Sequence, residues 1–234
     1  MNSPRPIAAV IPAFNASPSV GDVVCRTRTL FEDVIVVDDG SADDTARAAR
    51  ASGADVIIHP INRGKGAALR TAFAVLWDRD YQGAVTLDAD GQHLPEEIPR
   101  LLKAWDEGAD LVLGGRDHLF EEMVWLRRAS NSISSRLISF AAGIRLADIQ
   151  TGFRIYSRPL LEATGFPEDR FEAESAVVVR AARRGFQIIS VPVDLGFSDG
   201  RCTSHYRPVI DSLRIARAVV VARYGRSNSR NPRL

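Results

Sequence analysis

The chain has 234 residues, of which 45% are hydrophobic and 25% charged, a composition typical of a globular protein with a sizeable core. Its 30 basic and 29 acidic residues nearly cancel, so no overall field favours nucleic acid as a partner. The two cysteines, Cys25 and Cys202, are far apart and form no disulfide framework or zinc-binding pattern, which fits a reducing cytoplasm.

Short β-branched runs alternate with longer helical patterns in the first half of the chain. The runs are IAAVI from residue 7, VIVV from 34, DVIIH from 55, AVTL from 84 and DLVLG from 110. This alternation predicts an α/β fold, with a mostly parallel sheet and helices on both faces. The first three runs are nearly continuous apolar stretches, which predicts strands buried on both faces.

The pattern is looser in the second half. Helices are predicted at roughly 125–142 and 173–184 and from about Pro208, and QIISVPV from 187 is predicted to be a strand. We expect a single domain over residues 1–225, followed by a disordered polar tail at 226–234.

Polar side chains follow three of the predicted strands. The first strand is followed by Pro12, Ala13, Phe14 and Asn15, of which Asn15 is polar, the second by Asp38, Asp39 and Ser41, and the fourth by Asp88, Asp90 and Gln92. Ligands of open α/β sheets bind at the carboxyl ends of the strands. We therefore expect these residues to form one site.

The stretch DADGQH places Asp88, Asp90 and Gln92 at alternate positions. Oxygen ligands on one side of a strand end suit a hard divalent cation, and so the stretch predicts a site for Mg²⁺ or Mn²⁺. The alternative is a turn whose acids cap the following helix.

Two further groups predict contacts with a ligand. Asp39 can accept a hydrogen bond from a nucleobase or ribose, and NRGKG brings Lys65 to a helix start, where free N–H groups attract phosphate. The glycine spacing is not that of a Walker loop, and there is no GxGxxG. The alternative for Lys65 is a solvated lysine in a glycine-rich loop.

These motifs together resemble a known family. PAFNASPSV, VIVVDDGSADDT, NRGKGAALRTAF, VTLDADGQH, ADIQTGFRIYSR, FEAES and SHYRP occur in the order and spacing of family 2 glycosyltransferases, most like the branch of dolichyl-phosphate mannose synthase and dolichyl-phosphate glucosyltransferase. The resemblance covers about residues 5–215. It implies a GT-A fold, with a Rossmann-like donor half at about 1–115 merged with an acceptor half at about 116–225.

The resemblance also implies roles for residues around the donor. The loop with Pro12, Ala13 and Asn15 and the carboxylate of Asp39 would cradle the base and ribose, and Asp88, Asp90 and Gln92 would hold the metal on the diphosphate. The remaining donor-side positions are Lys65, Arg116, Arg128, Arg201 and Ser204, of which the last two match a loop that closes over the diphosphate. This chain has His205 where the family often has a lysine.

On the acceptor side, Glu174 lies eleven residues before Gly185, the spacing of the family's catalytic base. The resemblance implies a catalytic set of Glu174, Asp90 and Asp148, and an acceptor-side motif in which Gln150, Thr151 and Gly152 follow Asp148. A hydroxyl acceptor would need Glu174 as a base, whereas a phosphate acceptor would not. Glu174 could then orient ligands, or simply be an exposed acid in the first turn of a helix.

The last predicted helix carries Val209, Leu213, Ala216 and Val220 as an apolar stripe, with arginines elsewhere on its surface. The stripe could be a basic amphipathic anchor at an anionic membrane, or it could pack on the sheet. Neither a signal peptide nor a membrane span is predicted. We expect a cytoplasmic protein that can contact the inner face of the membrane peripherally.

The function expected from these observations is metal-dependent, inverting transfer of a hexose from a UDP- or GDP-sugar to a polyprenyl-phosphate or dolichyl-phosphate lipid. The first alternative keeps the donor and uses a soluble or cell-envelope hydroxyl acceptor, and a retaining transferase is a lesser one. A sugar-nucleotide pyrophosphorylase would carry a glycine-rich loop after the first strand, where this chain has PAFNASPS. A non-catalytic nucleotide-sugar-binding module would not need DIQTGFR or Glu174.

Overall fold

A computed structural model describes residues 6–115, 138–144, 149–196 and 208–225. The described residues form a seven-stranded sheet in the order β3-β2-β1-β4-β6-β5-β7. The strands are β1 (Ile7–Ala13), β2 (Val34–Asp38), β3 (Asp55–Ile58), β4 (Gly83–Thr86), β5 (Leu111–Gly115), β6 (Arg154–Ser157) and β7 (Ile188–Pro192). Strand β6 runs antiparallel to its neighbours β4 and β5, and the other pairs are parallel. The predicted mostly parallel sheet is confirmed.

Helices cover both faces of this sheet. They are α1 (Val20–Thr27), α2 (Thr45–Ala51), α3 (Lys65–Asp78), α4 (Ile98–Asp106), α5 (Arg158–Thr164), α6 (Glu172–Arg183) and α7 (Pro208–Tyr224). A 3₁₀ turn, Pro95–Glu97, precedes α4. Residues 138–142 are also helical, and the rest of the helix predicted at 125–142 lies outside the described residues.

Alternate residues of each central strand pack into two separate cores. On one face, Val10 and Val37 join apolar residues of α3, α5, α6 and α7. On the other face, Ile11 and Val36 join residues of α1 and α4. The layered arrangement leaves the carboxyl ends of the parallel strands open for a site.

The strand predictions need two corrections. Strand β3 is an edge strand whose residues are partly or fully exposed, so burial on both faces holds for β1 and β2 but not for β3. Strand β6 was not predicted, because its sequence RIYS is short, begins with an arginine and has no apolar run. All four of its residues are nevertheless buried, between β4 and β5.

The stripe on α7 does not pack on the sheet. Leu213 is 67% exposed and Val220 is 56% exposed, while Ile215 and Val219 face the core. Ala216 is also exposed, and the side chain of Val209 lies outside the described residues. The packing interpretation of the stripe is therefore wrong. Among the helices that the structure describes, none is both long and apolar enough to cross a bilayer.

Candidate active site

The loops after β1 and β2 are bound to each other. The Asn15 N–H donates to Ser41 Oγ at 2.8 Å, and Asn15 Oδ1 accepts from the Ala42 N–H at 2.9 Å. Asn15 has φ of 50°, in the left-handed region that asparagine tolerates better than most residues. Pro12 and Ala13 end β1 directly before this loop. Pro12, Ala13 and Asn15 thus lie at the predicted edge of the sheet, and their contact with a nucleoside stays a prediction.

Asp39 is buried and organises the entry to α3. Its Oδ1 accepts hydrogen bonds from His59 Nδ1 at 2.7 Å and the Arg63 N–H at 2.9 Å, and its Oδ2 accepts from the Gly64 N–H at 2.6 Å. An ionised carboxylate only accepts, so His59 Nδ1 carries the hydrogen. The contribution of His59 was not predicted, since its position at the end of β3 gives no sign of a partner 20 residues away. A contact of Asp39 with a base or ribose also stays a prediction.

Lys65 contacts both the predicted metal motif and the predicted base. It is the first residue of α3, and its Nζ lies 2.6 Å from Asp88 Oδ1 and 3.1 Å from Glu174 Oε2. The Lys65 side chain is only 13% exposed, so the interpretation as a solvated lysine is wrong. Burial lowers the pKa of Lys65, but the charges of Asp88 and Glu174 outweigh this effect and raise the pKa above its ordinary value.

Gly152 lies directly against this ion pair. A Cβ at this position would be 2.5 Å from Lys65 Nζ and 2.7 Å from Asp88 Oδ2, closer than real Cβ contacts allow. The Gly152 carbonyl also accepts a hydrogen bond from Thr86 Oγ1 at 2.8 Å. We call Lys65, Asp88, Glu174 and Gly152 the Lys65 cluster. It brings together four positions that were predicted from the sequence for the donor side, the metal, catalysis and the acceptor side, and these roles stay predictions.

The other acceptor-side residues adjoin this cluster. Thr151 is fully buried, and its Oγ1 accepts a hydrogen bond from the Phe153 N–H at 3.1 Å. Gln150 is partly exposed. Their roles toward an acceptor remain predictions.

The DADGQH stretch forms the turn after β4. Asp90 Oδ1 accepts from the Gln92 N–H at 3.0 Å, and the Asp88 N–H donates to Nδ1 of the buried His93 at 3.0 Å. Neither carboxylate caps the 3₁₀ turn that follows, because Leu94 is at its N-cap and no side chain forms a cap bond there. The stretch is thus a turn, and its acids are not the helix caps of the alternative interpretation.

The two carboxylates of this turn fit a divalent cation. Burial, and after it the negative charge of Asp88, raises the pKa of Asp90 above its ordinary value. A cation bound by both side chains would relieve this repulsion, and Gln92 would add a neutral oxygen ligand. In the part of the chain that the structure describes, no three His, Cys, Asp or Glu side chains are grouped to hold a metal. The protein's share of such a site would be two carboxylates and an amide.

Glu174 lies in the first turn of α6 and is only 6% exposed, so the interpretation as an exposed helix acid is wrong. Its Oε2 contacts Lys65, while its buried Oε1 has no hydrogen-bond partner within the described ranges. One oxygen of Glu174 is therefore paired with an ammonium group, whereas the other is buried and forms no hydrogen bond with the described residues.

Six positions named from the sequence lie outside the described residues. They are Arg116, Arg128, Asp148, Arg201, Ser204 and His205.

Arg154 was not singled out in the sequence, although it is fully buried beside the Lys65 cluster. Its guanidinium donates to the carbonyl oxygens of Thr151, Ile149 and Glu174. The sequence contained one signal for it, because Arg154 stands between apolar residues in GFRIYS. An arginine in such a segment is buried only where it has partners, so the segment indicates a bonded arginine.

Comparisons with known proteins agree with the fold and the motifs. The model of the family "Glycosyl transferase family 2" matches residues 8–165. The undecaprenyl-phosphate mannosyltransferase of Micrococcus luteus is 34% identical over 208 residues, covering 80% of this chain and 82% of the relative. The polyprenol monophosphomannose synthase of Mycolicibacterium smegmatis is 32% identical over 198 residues, covering 79% of this chain and 75% of the relative.

A solved structure shows the same fold. The glucosyl-3-phosphoglycerate synthase of Mycobacterium tuberculosis, in complex with Mn²⁺, UDP and phosphoglyceric acid, superposes with a TM-score of 0.71 at 25% identity, covering 96% of this chain and 80% of that chain. The seven-stranded, mostly parallel sheet is thus that of a GT-A glycosyltransferase. Because the family model matches well over half of the chain, and relatives more than 30% identical cover most of it, this chain belongs to glycosyl transferase family 2.

Proposed function

We propose that this glycosyltransferase moves a hexose, with inversion, from a UDP- or GDP-sugar to a polyprenyl-phosphate or dolichyl-phosphate lipid. The observation that carries the proposal is the Lys65 cluster, in which one buried ammonium contacts both the metal motif at Asp88 and the predicted acceptor-side carboxylate Glu174. Two relatives are named for transfer to polyprenyl phosphates, which supports this acceptor class. Membership in a transferase family disfavours a pyrophosphorylase or a non-catalytic module.

In the proposed donor site, Asp88, Asp90 and Gln92 would hold Mg²⁺ or Mn²⁺ on the diphosphate. The related synthase binds Mn²⁺ with UDP, which supports the same class of ion here. When bound, the ion supplies Lewis-acid stabilisation of the departing nucleoside diphosphate. Pro12, Ala13 and Asn15 would border the nucleoside, while Asp39 keeps the glycine-rich loop in place through its bonds to Arg63 and Gly64.

A phosphate acceptor fits the surroundings of Glu174. The attacking oxygen of a lipid phosphate is already anionic and needs no general base. Glu174 would then hold Lys65, a role that their 3.1 Å contact supports, and Lys65 would contribute a positive charge near the two anionic substrates.

A hydroxyl acceptor is the second candidate, and one observation favours it. Oε1 of Glu174 is buried without a hydrogen-bond partner in the described part of the chain, so it is available to receive a proton. The product of the reaction distinguishes the phosphate acceptor from the hydroxyl acceptor, because a lipid-linked sugar enters the organic phase and a soluble glycoside stays in water.

A lipid acceptor also requires access to a membrane, and α7 offers a surface for it. Leu213, Val220, Val221 and Tyr224 are exposed on this helix, and Arg217 lies exposed among them. An exposed apolar face with arginines suits the interface of an anionic bilayer. We therefore propose peripheral contact of the outer face of α7 with the membrane.

The donor site is tested by thermal shift with UDP, GDP and their hexose conjugates, each with and without Mn²⁺. A true donor at 100 times its Kd should stabilise the protein by about 2.7 kcal/mol. The Asp90→Ala variant should lose the metal-dependent part of the shift. An equal shift in wild type and variant, or no metal-dependent shift with any nucleotide, would contradict the donor site.

The membrane surface is tested by co-sedimentation with vesicles that contain or lack anionic lipid. The double variant Leu213→Glu, Val220→Glu should bind anionic vesicles more weakly, and its fold should be preserved because both side chains are exposed. Leu30→Glu is the matched control, since Leu30 is exposed beyond α1, which packs on the opposite face of the sheet. Equal binding of all three proteins, or no binding to either vesicle, would rule out this surface.

A further inference from the structure

Arg154, at the start of β6, is a buried cation whose contacts with the described residues include no carboxylate. It is 0% exposed, and no carboxylate of the described residues forms an ion pair with it. A buried guanidinium is unfavourable unless its N–H groups are satisfied by other acceptors. The acceptors it does use therefore indicate what its presence achieves.

All three nitrogen atoms of the Arg154 guanidinium donate to backbone carbonyls. Nε donates to Thr151 O at 2.7 Å, one terminal nitrogen to Ile149 O at 2.6 Å, and the other to Glu174 O at 2.6 Å. Two of these carbonyls belong to residues 149–152, which we call the acceptor-side segment, and the third lies in the first turn of α6. One side chain thus ties the segment to the helix that carries Glu174.

These bonds close a ring of contacts around the site. Arg154 bonds the backbone carbonyl of Glu174, and the carboxylate of Glu174 contacts Lys65. Lys65 in turn contacts Asp88. Gly152 lies against Lys65 and Asp88, and its neighbour Thr151 returns the ring to Arg154. A shift of the acceptor-side segment would therefore move Gly152, which lies against Asp88 of the predicted metal motif.

We propose that Arg154 is a positioning residue that fixes the acceptor-side segment relative to Glu174 and Asp88, and so sets the geometry in which the acceptor meets the donor. This inference rests on the proposed transfer reaction. Arginine suits the role because its planar guanidinium presents five donors in a fixed fork, whereas a lysine ammonium cannot reach three carbonyls spread along such a fork.

Arg154→Lys tests the proposal while keeping the positive charge. We expect kcat to fall about tenfold or more, because small misplacements of reacting groups are costly in rate. The Kd for UDP or GDP with Mn²⁺, measured by calorimetry, should rise by a smaller factor than the factor by which kcat falls, because Arg154 reaches Asp88 only through Gly152 and Lys65. Arg158→Lys is the matched control, since Arg158 bonds Glu162 and the Trp77 carbonyl outside the ring and should leave both quantities unchanged.

Two results with Arg154→Lys would overturn the inference. An unchanged kcat in Arg154→Lys would show that the fork is not needed. A parallel loss of kcat, nucleotide affinity and melting temperature would show a merely structural role.

Hydrogen exchange of the wild-type protein gives a test that needs neither a folded variant nor a known substrate. If Arg154 couples the two elements, amides at 149–153 and 172–176 should open together, with the same dependence on denaturant. Separate openings would overturn the inference even if transfer to a lipid phosphate is confirmed. Joint opening in a protein that fails to use any lipid phosphate would instead leave the coupling in place and refute the proposed acceptor.

Discussion

Lys65→Met removes the buried ammonium that joins Asp88 to Glu174, while keeping much of the side-chain volume. The Glu174 side chain is 8% exposed, so breaking its ion pair should cost about 3 kcal/mol, at the low end for a buried pair. The Asp88 side chain is 32% exposed, and losing its pair should add only about 0.5–1 kcal/mol because solvent screens it. The expected total is about 3–4 kcal/mol of unfolding free energy.

Chemical denaturation measures this loss, and Mn²⁺ provides a second readout. A total of about 3–4 kcal/mol corresponds to a fall in Tm of roughly 10 °C for a protein of this size. Because Lys65 and a metal would both contact Asp88, Mn²⁺ should stabilise the variant more than the wild type. Lys103→Met is the control, since Lys103 is exposed on α4 and should change stability by at most about 0.5 kcal/mol. A loss below about 1 kcal/mol in Lys65→Met, or an equal effect of Mn²⁺ on both proteins, would refute the reasoning.

Three further changes have defined outcomes. Gly152→Ala would place a Cβ 2.5 Å from Lys65 Nζ, so the ends of the Lys65 and Asp88 side chains would have to move aside. The variant should therefore bind nucleotide with metal more weakly in calorimetry, and unchanged binding would contradict the tight contact. Asp39→Asn leaves one oxygen to accept from three donors, so it should lower the free energy of unfolding by about 2 kcal/mol in chemical denaturation. Asp44→Asn, at the exposed start of α2, should leave the free energy of unfolding nearly unchanged, and equal effects of the two changes would contradict the buried network. Burial and the bond to Asp33 raise the pKa of Tyr81 to about 12, so its contribution to stability is complete below pH 10 and is lost as pH rises toward 12; Tyr81→Phe should show a shallower loss of stability in that window, and an identical pH profile would disprove the shift.

Much of the fold follows from local patterns. Strands β1, β2 and β4 are apolar runs that end in polar residues, and the parallel arrangement of their ends follows from the alternation with helices. The position of Asp88, Asp90 and Gln92 at the edge of the sheet could be predicted for the same reason, because they directly follow β4, and their binding of a metal stays a prediction. Strand β6 was missed because its burial comes from insertion between β4 and β5, a long-range pairing that its four residues do not encode.

The contacts between residues of the site could not be predicted from the sequence, for a related reason. Lys65, Asp88 and Glu174 are separated by more than 20 residues at each step, and only the packing of α3 and α6 at the end of β4 brings them together. The stripe on α7 shows the complementary limit. A period of three to four residues indicates which side chains share a helix face, but it does not show which face is covered, and here Leu213 and Val220 face outward.

The most direct test of the central claim is a transfer assay with labelled UDP- and GDP-hexoses, Mn²⁺ and a polyprenyl phosphate. We expect the label to enter the organic phase as a sugar of inverted configuration, and we expect this transfer to stop with a chelator or in Asp90→Asn. Label recovered only in a water-soluble product, or transfer that continues at the same rate without metal and without the Asp90 carboxylate, would contradict the proposed function.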